Sequence, residues 1–206
     1  DGPPLVALVA SGSAQVQRDT NLALEPRDTL TFDNAPVVAA APAGDRIPAD
    51  AVWLYGALAR SAQMAGALES ALDQSVRYAN ERRQFGRPIG GFQAIQQQLA
   101  VLAGQTAAAG IAAATAFRAA ERGDPAFEIA AAKVRVGEAA GIGASIAHQV
   151  HGAIGFTYEH ALHFATRRLW SWRSEFGSES QWASELGRSV AARGADALWP
   201  YVTARR

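Results

Sequence analysis

Two short segments of the chain combine residue types suited to gripping a polar, charged ligand. The first is Tyr78-Ala79-Asn80-Glu81-Arg82-Arg83-Gln84-Phe85-Gly86-Arg87-Pro88-Ile89, followed by Phe92-Gln93-Ala94-Ile95-Gln96. In it, Arg82 offers charge-assisted hydrogen bonds to an anion, Gln84 an amide that donates and accepts, and Phe85 an apolar ring face. The second is Gln149-Val150-His151-Gly152-Ala153-Ile154-Gly155-Phe156-Thr157-Tyr158-Glu159. Here Gln149 again carries both amide functions, and Gly152 leaves room for a backbone to approach a ligand closely. Each residue also has a plainer use. Arg82 and Arg83 suit a solvated helix end, where cations complement the helix dipole; Phe85 alone suits a core; Gly152 and Gly155 suit a helix cap and a turn. The histidines fall in two i, i+3 pairs, His148/His151 and His160/His163. Metal would need further ligands, no carboxylate partner is evident and the chain has no cysteine, so packing or hydrogen bonding is the expected role and no metal is expected.

These residues need a scaffold, and the composition supplies one. Of 206 residues 49% are apolar and the formal net charge is zero, which fits an ordinary packed core and argues against a nucleic-acid binder that relies on a positive field. Without cysteine, neither disulfides nor thiolate metal sites form. No stretch reads as a signal peptide, and the alanine-rich run Thr106–Phe117 is too short to span a bilayer, so no membrane span and a cytoplasmic location are expected.

Residues 4–47 read as strands. Leu5–Ala10 ends at Ser11-Gly12-Ser13, and Thr29-Leu30-Thr31-Phe32 alternates before a turn at Asp33-Asn34-Ala35-Pro36. Three short strands cannot close a sheet with two protected faces, so residues 1–47 are expected to be part of a larger β unit, in a chain that opens at Asp1 as if in mid-structure. From Pro48 the pattern becomes helical. Trp53, Leu54, Ala57, Leu58, Met64, Leu68 and Leu72 recur at three- and four-residue spacing, predicting a helix to about Asn80. A loop with Gly86, Pro88, Gly90 and Gly91 follows, then a helix from about Phe92 to Glu121, stopped by Gly123. Asp124-Pro125 supplies an N-cap and a first-turn proline for a third helix ending near Gly152. Two shorter helices are expected over 159–172 and 180–198. The fold class is therefore mainly α: an antiparallel helical bundle (48–206) behind a partial β-domain (1–47).

The two segments, in this order and at this separation, resemble the signatures of the acyl-CoA dehydrogenase family, R-x-[TQ]-F-G-x-x-I…Q and Q-x-x-G-G-x-G-F. Ala130-Ala131-Ala132-Lys133…Glu138-Ala139-Ala140 resembles the family's third bundle helix, and Leu30–Val37 the end of its β-domain. The resemblance implies an FAD cofactor whose ADP half is gripped across a subunit boundary. Arg82 would lie near the diphosphate, Gln84 near a phosphate or ribose and Phe85 near the adenine, with Gln149, Gly152 and Ala153 completing the contacts. Ala153 stands where the family usually has a second glycine. An acyl-CoA thioester as substrate and a homo- or hetero-oligomer, dimer or tetramer, are implied as well.

The family's α-proton base is a glutamate, and a base must reach its substrate and be tuned by its surroundings. Counted from Gln149, its position falls on Phe176; counted back from Arg82, the alternative position falls on Gly56, beside Ala57. None can take a proton. Three readings follow from the resemblance: Glu175 substitutes as the catalytic base; the chain is a catalytically silent subunit that lends FAD contacts to a partner; or it does flavin chemistry that needs no such base. A reading of another class is a cofactor-free helical interaction protein. The cluster Trp170-Ser171-Trp172-Arg173 sits where a bulky acyl group would approach, or is core.

Overall fold

The computed structural model describes residues 4–44 and 47–204. Residues 1–3, 45, 46, 205 and 206, of which 1–3, 45 and 46 belong to the expected partial β-domain 1–47, lie outside the described residues. Contacts divide the chain into two units, up to Val52 and from Trp53 onward.

The first unit has four strands where three were expected and two of them placed: β1 (Leu5–Val9), β2 (Gln15–Gln17), β3 (Thr29–Thr31) and β4 (Val37–Pro42). β1 pairs antiparallel with β4, Leu5 opposite Pro42, and the register shifts between Leu8 and Val9; β2 pairs with β3. The connection from β2 to β3 is knotted locally by Asn21, whose Oδ1 accepts from the amides of Ala23 (2.9 Å) and Glu25 (3.0 Å). Two-stranded sheets cannot bury a face. Leu5, Val6, Leu8, Val37 and Val38 are all exposed.

The second unit is the bundle. Its helices are α1 (Ala51–Glu81), α2 (Gln93–Arg122), α3 (Ala126–His151), α4 (Leu162–Ser174), α5 (Glu179–Arg193) and the short α6 (Leu198–Thr203). α3 is the centre: it packs on α2, α4 and α5 and is buried over most of its circumference, leaving one exposed stripe at Glu138, Ile142, Ser145 and Gln149. Alanine and glycine let its neighbours come close. A Cβ on Gly143 would lie 2.4 Å from Leu68 Cδ2 of α1 and 3.1 Å from Leu102 Cδ1 of α2. Both leucines are fully buried with Met64, Val136, Leu169 and Trp172 in the main cluster. Gly143→Ala is therefore expected to cost about 1–3 kcal/mol of stability by overpacking, read by urea denaturation.

α2 is long and apolar enough, by length and composition, to cross a bilayer, a longer apolar segment than Thr106–Phe117 suggests. Its Leu102, Thr106, Ala109, Ala113 and Ala116 are nonetheless buried on one face, against the rest of the bundle.

Helix ends follow local chemistry. Gly123 stops α2 in the left-handed conformation (φ 112°), and its N–H bonds Ala119 O. α3 begins one residue later than expected: Pro125 takes the cap position, so Asp124 is not the N-cap. Ser178 caps α5 with a reciprocal box to Gln181, and Gly194 ends that helix before the expected 198. α4 starts at Leu162 rather than 159, because Gly152–Phe156 first forms a 3₁₀ turn.

Candidate functional site

The segment after α1 is a two-residue hairpin rather than a loop. Arg83-Gln84 (β5) pairs with Arg87-Pro88 (β6), and Phe85 and Gly86 form the turn at φ 51° and 81°. Positive φ at both central positions is the pattern of a tight hairpin turn, which normally recruits Asn or Gly at the first of them. A phenylalanine there is strained, and strain that persists is a pointer to function. Phe85 is 92% exposed at the tip, in an edge-to-face pair with Phe92 (centroids 6.1 Å apart). Arg87 lies over the other part of this platform, 4.1 Å from the Phe92 centroid. Arg82, at the base of the hairpin, accepts the Ile89 amide on its carbonyl (2.8 Å) and has an exposed side chain, as has Gln84. The hairpin is held down by the 3₁₀ turn Ile89–Gly91: a Cβ on Gly90 would lie 3.1 Å from Ala79 O, and Gln96 Nε2 donates to Gly90 O (2.9 Å).

The second segment ends α3. Gly152 leaves the helix at φ 63° with open space where a Cβ would point. Gln149, Gly152 and Ala153 share the lining of one open cavity of about 510 Å³ with Ser145, His148 and Trp170. Aromatic stacking brings the two segments to one end of the bundle. Tyr78, four residues before Arg82, stacks on His151 (4.6 Å), and His160 packs edgewise on both rings (6.0 and 4.6 Å). These residues were not singled out from sequence as a joint, though the i, i+3 histidines marked the place.

The histidines pack. His148 stacks between Phe156 (4.2 Å) and Trp170 (5.3 Å), and burial pushes the pKa of both His148 and His151 down, so both rings are neutral at pH 7. Among the described residues no group of three or more His, Cys, Asp or Glu side chains is gathered that could hold a metal ion. The tryptophan pair divides: Trp172 is core, whereas Trp170 is partly exposed in the cavity.

A third feature lies at the turn between α4 and α5. Phe176 (φ 53°) and Gly177 (φ 90°) are consecutive left-handed residues. The Phe176 ring sits directly over Gly56 of α1, where a Cβ would lie 2.3–2.5 Å from three ring carbons. The two positions that sequence counting assigns to a base are thus one interlocked packing pair. Glu175, beside it, is neither solvent-facing nor unengaged. Its Oε2 lies 2.6 Å from Arg60 Nε and its Oε1 accepts from Ser171 Oγ (3.4 Å). Arg60 in turn lies over Trp172 (5.2 Å).

The family of acyl-CoA dehydrogenases is matched by its C-terminal domain over residues 53–186, and the chain belongs to that family. Acyl-CoA dehydrogenase FadE34 of Mycobacterium tuberculosis is 36% identical over 171 residues, 80% of this chain and 23% of that protein. Acyl-CoA dehydrogenase IpdE2 of the same organism is 32% identical over 164 residues, 78% of this chain and 50% of that protein. The chain thus spans half or less of the length of these relatives. In three dimensions it is similar to a chain of the ChsE4-ChsE5 complex from Mycobacterium tuberculosis, with a TM-score of 0.75 and 28% identity over 90% of this chain and 51% of that one.

Proposed function

We propose that this chain belongs to a subunit of an oligomeric, FAD-dependent acyl-CoA dehydrogenase in which it lends contacts to the cofactor and does not itself supply the α-proton base. The observation that carries the second half is the packing of Phe176 into Gly56. It fills both positions from which the family's glutamate acts, with groups that cannot accept a proton. Glu175 is the acid next to Phe176 in the chain, and its contact with Arg60 ties it to α1 rather than presenting it to a ligand. Losing a general base typically costs 10²–10⁴ in rate, so such a chain works only beside a competent partner. A two-component precedent exists in the ChsE4-ChsE5 complex.

For the cofactor, the residues fit. An open backbone at Gly152, the exposed amide of Gln149 and Ala153 line one cavity, and the strained Phe85 is offered to solvent above Arg82 and Gln84. Arg82 would pair with the diphosphate, Gln84 and Gln149 would donate to phosphate or ribose oxygens, and Phe85 would cover an adenine face. FAD, when bound, accepts a hydride in acyl-CoA oxidation. The chain's own part is to bind and orient it. Arg82→Ala is expected to weaken FAD binding by the worth of a charge-assisted bond, about 1.5–3 kcal/mol or some 10- to 150-fold in Kd.

The test uses the full-length protein with whatever subunits co-purify. A flavin spectrum, lost or weakened in Arg82→Ala, is expected, and Glu175→Gln should leave turnover unchanged. A colourless preparation that takes up no added FAD would overturn the cofactor reading and favour a cofactor-free interaction protein. A drop in turnover of a hundredfold or more in Glu175→Gln would make Glu175 the base.

A further inference from the structure

Of these 206 residues one is a lysine, against eighteen arginines, and that lysine is completely buried. Lysine is among the residues least often found fully inside a protein unless paired. Lys133 stands on α3, and its Nζ donates to Gly177 O (2.5 Å) and to Arg173 O (2.7 Å), 44 and 40 residues further along the chain. Trp182 Nε1 donates to the carbonyl between them, that of Phe176 (2.8 Å). Three buried N–H donors therefore grip the backbone from the end of α4 through the two left-handed residues of the turn. A chain forced into that conformation keeps it only where its surroundings over-determine it.

The rest of the α3 face is shaped for the same purpose. Lys133, Gly137 and Gly141 are four residues apart and share one side of the helix. A Cβ on Gly137 would lie 3.1 Å from Glu179 Oε2, and one on Gly141 2.9 Å from Arg173 Nη1. The two glycines are seats for the Arg173–Glu179 ion pair, which closes over the turn from its two flanking helices. A lysine and two glycines in this register form a bed for the α4–α5 turn, whichever side chain the turn presents.

We infer that Lys133 is a positioning residue: by holding the carbonyls of Arg173 and Gly177 it fixes the α4–α5 turn and so keeps Phe176 seated against Gly56. Its geometric content stands on these contacts alone; its consequence, that Lys133 keeps the base position of this subunit closed, rests on the function proposed above. The amine acts through the turn, on the carbonyls of Arg173 and Gly177.

The absence of cysteine makes the turn easy to interrogate. In the full-length protein, with its co-purifying subunits, a thiol introduced by Phe176→Cys replaces the ring while leaving the three backbone contacts in place. A second protein carries Ser75→Cys, at a fully buried position on α1 away from the turn. Each is treated with a thiol reagent in the Lys133 and the Lys133→Met backgrounds. The thiol at 176 is expected to react at least tenfold faster once Lys133 is methionine, with the thiol at 75 unchanged. An unchanged rate at 176, or equal acceleration at both sites, overturns the inference: in the first case the turn stands without Lys133, in the second Lys133 serves only global stability. Should Lys133→Met not fold, Lys133→Gln, which keeps a shorter amide donor, is read in the same way, with an acceleration at 176 alone expected. FAD uptake by the unmodified protein is recorded separately, so a failure of the cofactor reading leaves this result standing.

Discussion

Placing a methyl group on Gly56 is expected to destabilise the bundle by about 1–3 kcal/mol, the usual cost of overpacking, or more because the clash is with a ring held by its own backbone. A Cβ at 2.3 Å from Phe176 Cδ1 is far inside contact distance, and α1 cannot retreat, since Leu54, Ala57 and Leu58 on either side are buried against Ile129 and Trp182. The same Gly56→Ala change in a Phe176→Ala background should be nearly free. The two single variants and the double, compared by urea midpoints, give the coupling directly. If Gly56→Ala costs the same with and without the ring, the ring does not occupy the notch, and the proposal that this chain supplies no base loses its support.

Alkaline pH should stabilise the protein through Lys133. Burial pushes its pKa down to about 8 from the usual 10.5, outweighing the attraction of Glu179 and Glu175; Arg173 and Arg60 add to the lowering. In the unfolded chain the amine keeps its proton to near 10.5, so between these values the unfolded state binds more protons than the native one. Stability therefore rises with pH across that window, by about 3 kcal/mol for a displacement of this size, and the whole cost is carried below pH 8. Urea denaturation at pH 7.5 and 10 measures the gain. In Lys133→Met that component should vanish, and a slope that persists would place it on other groups. A single lysine also makes its ¹⁵Nζ resonance unambiguous, and that resonance should titrate near 8. Glu179 acts in the other direction. Burial opposes its charge, but the Arg173 hydrogen bond prevails and lowers its pKa, so its contribution is present at neutral pH and fades as the solution is acidified through the carboxylate range.

The helices were legible because their information is local. Three- and four-residue spacing found α1, Gly123 marked the end of α2, and the two family signatures gave their order. What lay hidden was tertiary. Nothing near Lys133 announces that its partners are carbonyls more than forty residues away; a lone lysine in an alanine-rich helix reads as solvated. Counting positions found Gly56 and Phe176 non-acidic, yet only packing shows that one fills the space of the other. The hairpin at Arg83–Pro88 escaped because its turn breaks the residue preference by which such turns are recognised, placing phenylalanine where asparagine or glycine is expected. The strands β2 and β4 are short or alanine-rich, with too little alternation to register. For the site, sequence named Arg82, Gln84, Phe85, Gln149, Gly152 and Ala153, and the structure adds the Tyr78–His151–His160 stack that draws their two segments to the same end of the bundle.

The seating of Phe176 on Gly56 also bears on how such a chain could evolve. A glutamate placed at 176 would leave a hollow over a bare glycine, and a glutamate placed at 56 would collide with the ring. Either route to an acidic group passes through a less stable intermediate unless the other member of the pair changes as well. The packed ring and notch thus oppose any single substitution that would bring an acid to either position, a constraint made of nothing more than packed volume.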